Sequence, residues 1–342
     1  MSLSLNGNGN SRRPSPLRPA SHSSAFESTM AAMDEGVHPV IHTGRVAVIT
    51  GAASGIGRAA ALELAKVGMK IAIADVNEET LNKVGAEVTK VVGEGNVLVV
   101  PTDVSKLEDV VRLRDKVYEA WGEVAVLMNN AGIGLPSKSW EGIDAWRKTF
   151  DVNVFGCVPW LSAQLFHSRC PMADSVLNVQ QTFVPSIIHQ ENPAVVINTG
   201  SKQGITNPPG NPAYNASKAA VKSLTEGLAY ELRNSVPPAN VTAHLFVPGW
   251  TWTGMTGDKG DAEKPAGAWT AQETVLYMLD YVRQGKFYIL VPDNETRREI
   301  DQLRIMWSAG DLVEGRPALS RWHKDYKALF DDYVREGVAQ LE

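Results

Sequence analysis

The most informative segment of the chain reads Thr50-Gly51-Ala52-Ala53-Ser54-Gly55-Ile56-Gly57. The apolar, β-branched run Arg45–Thr50 precedes it and the amphipathic stretch Gly57–Val67 follows it, which is the strand-to-helix context of a phosphate-binding turn. Glycine permits a positive φ and lacks the Cβ that would block a pyrophosphate. A helix that begins near Gly55 would direct free N–H groups and its positive dipole end at the phosphates. The segment predicts a dinucleotide-binding turn, and a tight strand-to-helix turn without a ligand is the alternative.

Strands and helices alternate along the rest of the chain. Helices of this length between strands indicate a parallel sheet that is covered on both faces, and near-continuous apolar strands are typical of such a sheet. We therefore predict an α/β fold, a doubly wound parallel sheet (Rossmann fold), as a single domain over residues 41–342, with residues 293–342 as a C-terminal helical extension. After Arg45–Thr50, the predicted strands are Lys70–Ala74, Asn96–Pro101, Val124–Met128, Ala194–Asn198, Val241–Val247 and Phe287–Val291. After Gly57–Val67, the predicted helices are Asn77–Val92, Leu107–Trp121, Ser217–Arg233, Asp293–Ser308 and Ser320–Val338.

The composition excludes several classes of function. Hydrophobic residues make up 44% and charged residues 21% of the 342 residues, which is ordinary for a soluble globular protein. The formal net charge of −5 predicts no nucleic-acid partner. No apolar run approaches the roughly 20 residues that span a bilayer, so no membrane partner is expected. The two cysteines, Cys157 and Cys170, lack metal-ligand spacing, which predicts no metal site and fits a reducing compartment such as the cytoplasm.

Residues 1–40 differ in composition from the rest of the chain. They are rich in Ser, Asn, Pro and Arg, and no acidic residue precedes Glu27. This composition predicts a disordered tail. Arg and Ser without acidic residues are also typical of a mitochondrial transit peptide, which would place the protein in the mitochondrial matrix rather than the cytoplasm. The prolines and the lack of a clear apolar helical face favour the tail.

An acidic residue ends the second predicted strand. Asp75, 24 residues after Gly51, can accept hydrogen bonds from the ribose hydroxyls of an adenosine and would repel a 2′-phosphate. It therefore predicts NAD rather than NADP as the cofactor, although Arg58 after the glycine turn keeps NADP open.

Asp103, after the third strand, is either a contact for the adenine or a residue that starts the next helix.

Tyr214 and Lys218 are four residues apart, so on a helix they share one face. A phenol loses its proton near pH 10. A nearby ammonium group and a positively charged nicotinamide ring stabilise the phenolate and lower that pKa. The tyrosine can then take a proton from an alcohol or return it to a carbonyl. A solvated helix face is the alternative interpretation of this pair on its own.

Eight motifs follow one another along the chain. In order, they are Thr50–Gly57, Asp75, Asp103-Val104, Asn129-Asn130-Ala131-Gly132, Val152-Asn153-Val154-Phe155-Gly156, Ser201, Tyr214-Asn215-Ala216-Ser217-Lys218 and Pro248-Gly249-Trp250-Thr251-Trp252-Thr253. This ordered set resembles the short-chain dehydrogenase/reductase family over about residues 44–291.

The resemblance implies an NAD(P)-dependent oxidoreductase that interconverts a secondary alcohol and a ketone by hydride transfer. Tyr214 would be the general acid/base, and Lys218 would hold the nicotinamide ribose and tune Tyr214. Ser201 would hydrogen-bond the reacting oxygen, and Asn153 would anchor a water in the proton relay. The cofactor-binding residues that the resemblance implies are Gly51, Ser54, Gly55, Ile56, Gly57, Asp75, Asp103, Val104, Asn130, Ala131, Gly132, Tyr214, Lys218, Pro248, Gly249 and Thr253.

The resemblance also implies partners: a small-molecule alcohol or ketone substrate, and further copies of the chain in a homodimer or homotetramer. Trp250, Trp252, Met255 and Trp269 fall where the family has a mobile substrate lid. Such bulky apolar residues suit a hydrophobic substrate, and packing of the lid on the core explains them equally well. Reduction of an activated C=C bond and dinucleotide binding without catalysis are the rival functions.

Residues 157–175 interrupt the resemblance and are predicted to be an insertion. Without them, Asn153–Gly156 continues into Val176–Phe183 as one helix, which in the family starts at the position of Asn153. Pro159 and Pro171 oppose a continuous helix inside the insertion. A surface loop and translated intron sequence from a faulty gene model are both open explanations.

Overall fold

The computed structural model describes residues 38–154, 176–258 and 262–341. Within these ranges the strands are β1 (Val46–Thr50), β2 (Lys70–Asp75), β3 (Val97–Pro101), β4 (Val126–Asn129), β5 (Ala194–Thr199), β6 (Val241–Val247), β7 (Thr251–Trp252), β8 (Trp269–Thr270) and β9 (Tyr288–Leu290). The α-helices are α1 (Gly55–Lys66), α2 (Glu78–Val92), α3 (Leu107–Trp121), α4 (Ile143–Asn153), α5 (Val176–Ile187), α6 (Gln203–Thr206), α7 (Pro212–Arg233), α8 (Ala271–Arg283), α9 (Arg298–Glu314) and α10 (Lys327–Leu341). Short 3-10 turns lie at Gly254–Thr256 and Ser320–Trp322.

Seven of the strands form one parallel sheet in the order β3-β2-β1-β4-β5-β6-β9. From β1 the chain runs outwards through β2 to β3, then returns to the other side of β1 and continues from β4 to β9. The reversal between β1 and β4 opens a crevice at the carboxyl ends of the strands, where doubly wound sheets bind ligands. The predicted α/β doubly wound fold is confirmed. Strands β7 and β8 form a separate parallel pair.

Both faces of the sheet are covered by helices. Every residue of β1, β4 and β5 is buried. Successive residues of β1 point to opposite faces, since Val48 packs in one hydrophobic cluster and Ile49 in the other. Residues of α1, α2 and α8 complete the cluster around Ile49, and residues of α3, α5 and α7 complete the cluster around Val48. This double burial is the reason why the strands are apolar throughout instead of alternating with polar residues.

Helix α7 starts at Pro212, five residues before the predicted Ser217. The Asn211 side chain caps this end by accepting a hydrogen bond from the backbone N–H of Tyr214, and proline fits the first turn because it needs no N–H acceptor there. The prediction placed the start too late because it followed apolar periodicity, whereas the helix starts at its cap. Tyr214 consequently lies in the first turn of α7.

Three helices of the described residues were not predicted, α4, α8 and the four-residue α6. Asn153 is the last residue of α4, so the expectation from the resemblance that a helix starts at Asn153 was wrong. Helix α8 begins at a capping box in which Thr270 and Glu273 each accept a hydrogen bond from the other's backbone N–H.

The two predicted C-terminal helices exist, but both begin and end later than predicted. The Asp293 carboxylate accepts hydrogen bonds from the backbone N–H groups of Glu295 (3.1 Å) and Thr296 (2.7 Å), and the resulting turn delays the start of α9. The last helix begins at Lys327 instead of Ser320, which lies in a 3-10 turn. Trp307 of α9 packs edge-on against Phe330 of α10, with ring centroids 5.4 Å apart.

The predicted tail over residues 1–40 lies largely outside the described residues, as do Cys157, Cys170 and the predicted insertion at 157–175. Val40 and Ile41 already belong to the hydrophobic core. Among the helices of the described ranges, none has the length and apolar character needed to cross a membrane.

The facing ends of α4 and α5 lie against each other. The backbone N–H of Leu177 donates a hydrogen bond to the carbonyl oxygen of Val154 at 3.4 Å. Val154 and Val176 are buried in the same cluster, together with Val221, Leu245 and Val247. If residues 157–175 are removed, Val154 and Leu177 become four residues apart, which is the spacing of an α-helical hydrogen bond. The end of α4 and the start of α5 are therefore close enough for the shortened chain to connect them directly.

A chain that lacks residues 157–175 is expected to fold with a melting temperature equal to or above that of the full chain. Leu177 and Val154 already form the hydrogen bond that a helix would make between them in the shortened chain, and a shorter connection costs less closure entropy. Thermal unfolding followed by circular dichroism measures this. The matched control lacks residues 157–176, one residue more, which rotates α5 by about 100° about its axis and turns its buried face outwards. A melting temperature well below that of the full chain for the first deletion would contradict the prediction.

Candidate active site

The predicted dinucleotide-binding turn lies between β1 and α1, and close backbone contacts require its glycines. Gly51 has a φ of 65°, and a Cβ on it would lie 2.7 Å from the Cα of Ala131. A Cβ on Gly57 would lie 2.2 Å from the carbonyl oxygen of Gly51. Since no side chain fits at either position, the backbone itself forms the surface of the turn.

The N-terminus of α1 supplies hydrogen-bond donors at this surface. Ser54 is the N-cap residue, and it is exposed without making a side-chain cap hydrogen bond. The first N–H groups of a helix, here those of Gly55 and Ile56, have no acceptor within the helix, and the helix dipole adds positive potential. Thr253 lies against this turn, because a Cβ on Gly55 would be 3.1 Å from its methyl carbon. A donor-lined surface without side chains fits a pyrophosphate.

Asn130 joins the carboxyl ends of three strands. Its backbone N–H donates to the Thr50 hydroxyl at 3.1 Å, and its side-chain amide donates to the carbonyl oxygens of Thr50 (3.2 Å) and Gly51 (3.3 Å). The N–H of Ala131 donates to the same Thr50 hydroxyl, and the Thr199 hydroxyl donates to the Asn130 side chain. These bonds fix the glycine turn to β4 and β5. The sequence indicated Asn130 and Ala131 but missed Thr50, whose position within β1 looks like ordinary core.

Asp75 lies at the carboxyl end of β2, beside the glycine turn. Its carboxylate accepts hydrogen bonds from the backbone N–H groups of Ala53 (3.1 Å) and Asn77 (3.0 Å), so its position is fixed. Arg58, which kept NADP open in the sequence, is paired with Glu87 on α2 through contacts of 2.6 Å and 2.9 Å. The basic group nearest the turn in sequence is thus already engaged by a carboxylate.

The Asp103 carboxylate holds a turn ahead of α3. It accepts hydrogen bonds from the N–H and the hydroxyl of Ser105, and it lies 3.6 Å from the ammonium of Lys106. These contacts match the role of a helix-start residue, one of the two interpretations left open by the sequence. Val104 is buried, and its carbonyl oxygen accepts a hydrogen bond from Asn178 of α5.

Ser201, Tyr214 and Lys218 come together at the carboxyl end of β5. A side-chain hydrogen bond links Ser201 with Tyr214. The Lys218 ammonium donates to the carbonyl oxygen of Thr199 at 2.8 Å and lies 5.7 Å from the centroid of the Tyr214 ring. The alternative of a solvated helix face is therefore wrong for Lys218, which is buried.

Burial is the largest cause of the pKa shifts of Tyr214 and Lys218, both on α7. It raises the pKa of Tyr214 above its ordinary value, while the hydrogen bond with Ser201 lowers it by a smaller amount. The sequence predicted a lowered pKa for Tyr214, but in the chain alone this pKa is raised. Burial also lowers the pKa of Lys218 from 10.5 to about 8, because an ammonium loses its hydration in the interior.

Asn153 braces the loop that follows β4. Its amide donates to the Ile133 carbonyl oxygen and to the Ser217 hydroxyl, both at 2.9 Å, and its oxygen accepts from the Ile133 N–H at 2.8 Å. Gly132 lies between the Asn153 amide and helix α7, since a Cβ on Gly132 would be 3.3 Å from the Asn153 oxygen and 3.5 Å from the Lys218 ammonium. The anchoring of a water by Asn153 stays a prediction.

The Pro248-Gly249 turn follows β6 and packs against the residues after β9. A Cβ on Gly249 would lie 2.6 Å from the carbonyl oxygen of Pro292. The next backbone N–H, that of Trp250, donates to the Asp293 carboxylate at 3.1 Å. Sequence reasoning missed Asp293 as a site residue, because it is distant in sequence and lies in no recognised motif.

Comparisons with known proteins agree with this geometry. The chain matches the short chain dehydrogenase family over residues 45–168 and 172–264. An uncharacterised oxidoreductase of Staphylococcus saprophyticus is 34% identical over 218 residues, which are 63% of this chain and 81% of that protein. A 3-oxoacyl-acyl-carrier-protein reductase of Thermotoga maritima is 32% identical over 247 residues, which are 71% of this chain and 85% of that protein. The crystal structure of a short chain dehydrogenase/reductase from Burkholderia phymatum in complex with NAD superposes with a TM-score of 0.67 at 30% identity, covering 81% of this chain and 97% of that chain.

The buried charge of Lys218 predicts a stability penalty that depends on pH. Below about pH 8 the folded and unfolded chains both hold the proton, and the burial cost is fully present. Between about pH 8 and 10.5 the unfolded chain binds more protons than the folded one, so stability rises with pH until the cost is gone. A shift of the pKa from 10.5 to about 8 corresponds to about 3 kcal/mol, so Lys218→Met is expected to be more stable than the parent chain at pH 7 by about that amount, with an advantage that shrinks from pH 8 upwards.

Urea denaturation at several pH values measures this difference. Lys222→Met, one turn further along α7 at a half-exposed lysine paired with Glu226, is the matched control and is expected to show the pH dependence of the parent chain. Identical pH profiles for Lys218→Met and the parent would show that the Lys218 ammonium carries no burial cost.

Proposed function

The chain belongs to the short-chain dehydrogenase family and is an oxidoreductase that uses a nicotinamide dinucleotide, and we propose that it interconverts a secondary alcohol and a ketone. The observation that supports this reaction is the convergence of Ser201, Tyr214 and Lys218 at the carboxyl end of β5. Asn130 fixes the glycine turn to the same edge of the sheet, so a group held by the turn faces these three side chains.

Tyr214 moves the proton in the proposed reaction. Its side chain is hydrogen-bonded with Ser201: as the phenolate it takes a proton from the substrate alcohol, and as the phenol it returns one to the ketone oxygen. Ser201 donates a hydrogen bond to the same oxygen and thereby orients the substrate. When bound, the nicotinamide accepts or supplies the hydride.

Lys218 adjusts the acidity of Tyr214. A cation 5.7 Å from the ring centroid favours the phenolate over the phenol. Because burial lowers its pKa to about 8, Lys218 can release and regain a proton close to neutral pH. An ammonium has three donors, of which one goes to the Thr199 carbonyl oxygen, and the others would hold the nicotinamide ribose. Asn153, whose amide braces the loop after β4, would anchor the water of the proton relay.

We propose NAD as the preferred cofactor. The Asp75 carboxylate is fixed by two backbone N–H groups at the end of β2, where it would accept the ribose hydroxyls and repel a 2′-phosphate. Arg58 is paired with Glu87, which leaves it less able to attract that phosphate. The similar Burkholderia phymatum structure contains NAD. The residues proposed to hold the cofactor are Gly51, Ser54, Gly55, Ile56, Gly57, Asp75, Asp103, Val104, Asn130, Ala131, Gly132, Tyr214, Lys218, Pro248, Gly249 and Thr253.

The proposed substrate is a small hydrophobic alcohol or ketone. Trp250 and Trp252 lie partly buried after β6, and Met255 is exposed. Apolar side chains next to Thr253, which lies against the glycine turn, suit an apolar substrate group. We also propose that the chain works as a homodimer or homotetramer in the cytoplasm.

Tyr214→Phe is expected to lower kcat by a factor of about 10² to 10⁴, the usual contribution of a general acid/base, and to leave the Kd for NADH unchanged. A panel of secondary alcohols and ketones, followed by the absorbance of the reduced nicotinamide, measures turnover, and calorimetry measures binding. Tyr230→Phe, on an exposed position of the same helix, is the control and is expected to retain full turnover. Wild-type turnover in Tyr214→Phe would refute the role of the phenol.

Asp75→Asn is expected to shift the ratio of the Kd values for NADPH and NADH by about tenfold towards NADPH, which corresponds to about 1.4 kcal/mol. The substitution removes the charge that repels the 2′-phosphate and keeps the size of the side chain. Fluorescence titration with both nucleotides measures the ratio, and Asp115→Asn, at an exposed carboxylate of α3 outside the proposed site, serves as the control. An unchanged ratio in Asp75→Asn would rule out its carboxylate as the selector.

A further inference from the structure

We propose that Lys202 and Asp293 are positioning residues, which join the serine side and the cofactor side of the site through the C-terminal extension. The roles of Ser201 and Thr253 in this inference rest on the proposed function, whereas the contacts that carry it do not. The serine side consists of Ser201 and helix α6. The cofactor side consists of strands β7 and β8, and Thr253 directly follows β7.

Lys202 follows Ser201 and turns away from it into a buried ion-pair cluster. Its ammonium lies 3.2 Å from the Asp293 carboxylate and 2.5 Å from the Asp301 carboxylate of α9. Only 18% of the Lys202 side chain is exposed, compared with 6% for Asp293 and 5% for Asp301. Its carbonyl oxygen also accepts hydrogen bonds from the N–H and hydroxyl of Thr206, which fixes α6 to the same residue.

One oxygen of Asp293 bridges the two sides of the site. It accepts hydrogen bonds from the Lys202 ammonium at 3.2 Å and from the Trp250 backbone N–H at 3.1 Å. The other oxygen accepts from the N–H groups of Glu295 and Thr296, so the carboxylate cannot rotate without breaking its own turn. A single carboxylate thereby links the residue after Ser201 to the backbone N–H that directly precedes β7.

The residue after Asp293 holds the second strand of the pair. Asn294 donates from its backbone N–H to the carbonyl oxygen of Gly267 at 3.0 Å, and its side-chain oxygen accepts from the Trp269 indole N–H at 2.9 Å. The backbone N–H of Trp269 donates a hydrogen bond to the Trp250 carbonyl oxygen at 2.9 Å. The turn from Asp293 to Thr296 therefore anchors both β7 and β8.

The charges of the cluster balance only while Lys202 is present. Burial raises the pKa of Asp301, and Lys202 and Arg304 offset this only in part. Burial would also raise the pKa of Asp293, but the Trp250 N–H, Lys202 and the Thr296 N–H together lower it. Without the ammonium, two buried carboxylates would face each other, with Arg304 at 3.8 Å from Asp301 and no cation in direct contact at 3.2 Å or less in the described part of the chain. Removing one partner of a buried ion pair is costly because it leaves a charge without compensation.

Both carboxylates of this cluster lie beyond residue 264, where the match to the family model ends. The extension therefore acts on the site through Asp293 and Asp301. The extension fixes the backbone on the serine side and on the cofactor side of the site. The ion-pair cluster contains none of the residues proposed to contact substrate or cofactor.

The test compares Lys202→Met with Arg45→Met in the full chain. Arg45 is a buried cation of similar kind, paired with Glu123 at 2.8 Å, but it lies at the amino end of β1, away from the site. We measure amide hydrogen exchange, the Kd for NADH and, with the substrate found in the panel, kcat and KM. Lys202→Met is expected to speed exchange at Gln203–Thr206 and at Trp250–Trp252 by about tenfold or more, to weaken NADH binding and to lower kcat. Arg45→Met is expected to lower the melting temperature without these changes.

Rescue distinguishes positioning from a general loss of stability. Lys202→Arg keeps the cation and is expected to restore slow exchange and NADH affinity. If Lys202→Met does not fold, the double variant Lys202→Met/Asp301→Asn, which removes one uncompensated carboxylate, is expected to fold and to keep the fast exchange. Parent-like exchange at both segments in a folded Lys202→Met or in the double variant would overturn the proposal. Absence of turnover in the parent chain would refute only the proposed function, because exchange and NADH binding report on Lys202 independently.

Discussion

The burial of the Lys218 ammonium is the constraint around which the site is arranged. An ammonium in the interior loses its hydration, and the pKa of Lys218 falls to about 8 as a result. The carbonyl oxygen of Thr199 offers partial compensation at 2.8 Å. A Cβ on Gly132 would lie in van der Waals contact with the ammonium, at 3.5 Å, and Asn153 holds the adjoining loop. A helix selected for stability alone would carry an apolar residue at this position, so the charge is retained at a cost, as is usual for groups that take part in chemistry.

The fold and most of the site follow from constraints that act over a few residues. Gly57 must be glycine because its Cβ would overlap the Gly51 carbonyl oxygen, and such a steric demand leaves a direct mark on the sequence. The apolar strands likewise record burial on both faces of the sheet. The spacing of Tyr214 and Lys218 placed both on one helix face, because one turn of a helix fixes their relation, and the other motifs identified that face as part of the site.

Features that depend on distant parts of the chain could not be predicted. Lys202 and Asp293 are 91 residues apart, and neither lies in a recognisable motif. The acidity of Tyr214 depends on how deeply it is buried, which the spacing of Tyr and Lys does not reveal. The start of α9 was predicted too early for a related reason, since the Asp293 carboxylate bonds its own turn and the bridging of Trp250 is visible only in three dimensions.

The proposed function requires the glycine turn and the buried Lys218 to form one nucleotide site. The most direct test is a calorimetric titration of the purified full chain with NADH and, in parallel, with NADPH. We expect one nucleotide to bind per chain, with NADH bound more tightly than NADPH. Binding of neither nucleotide by the folded protein would refute the nucleotide site.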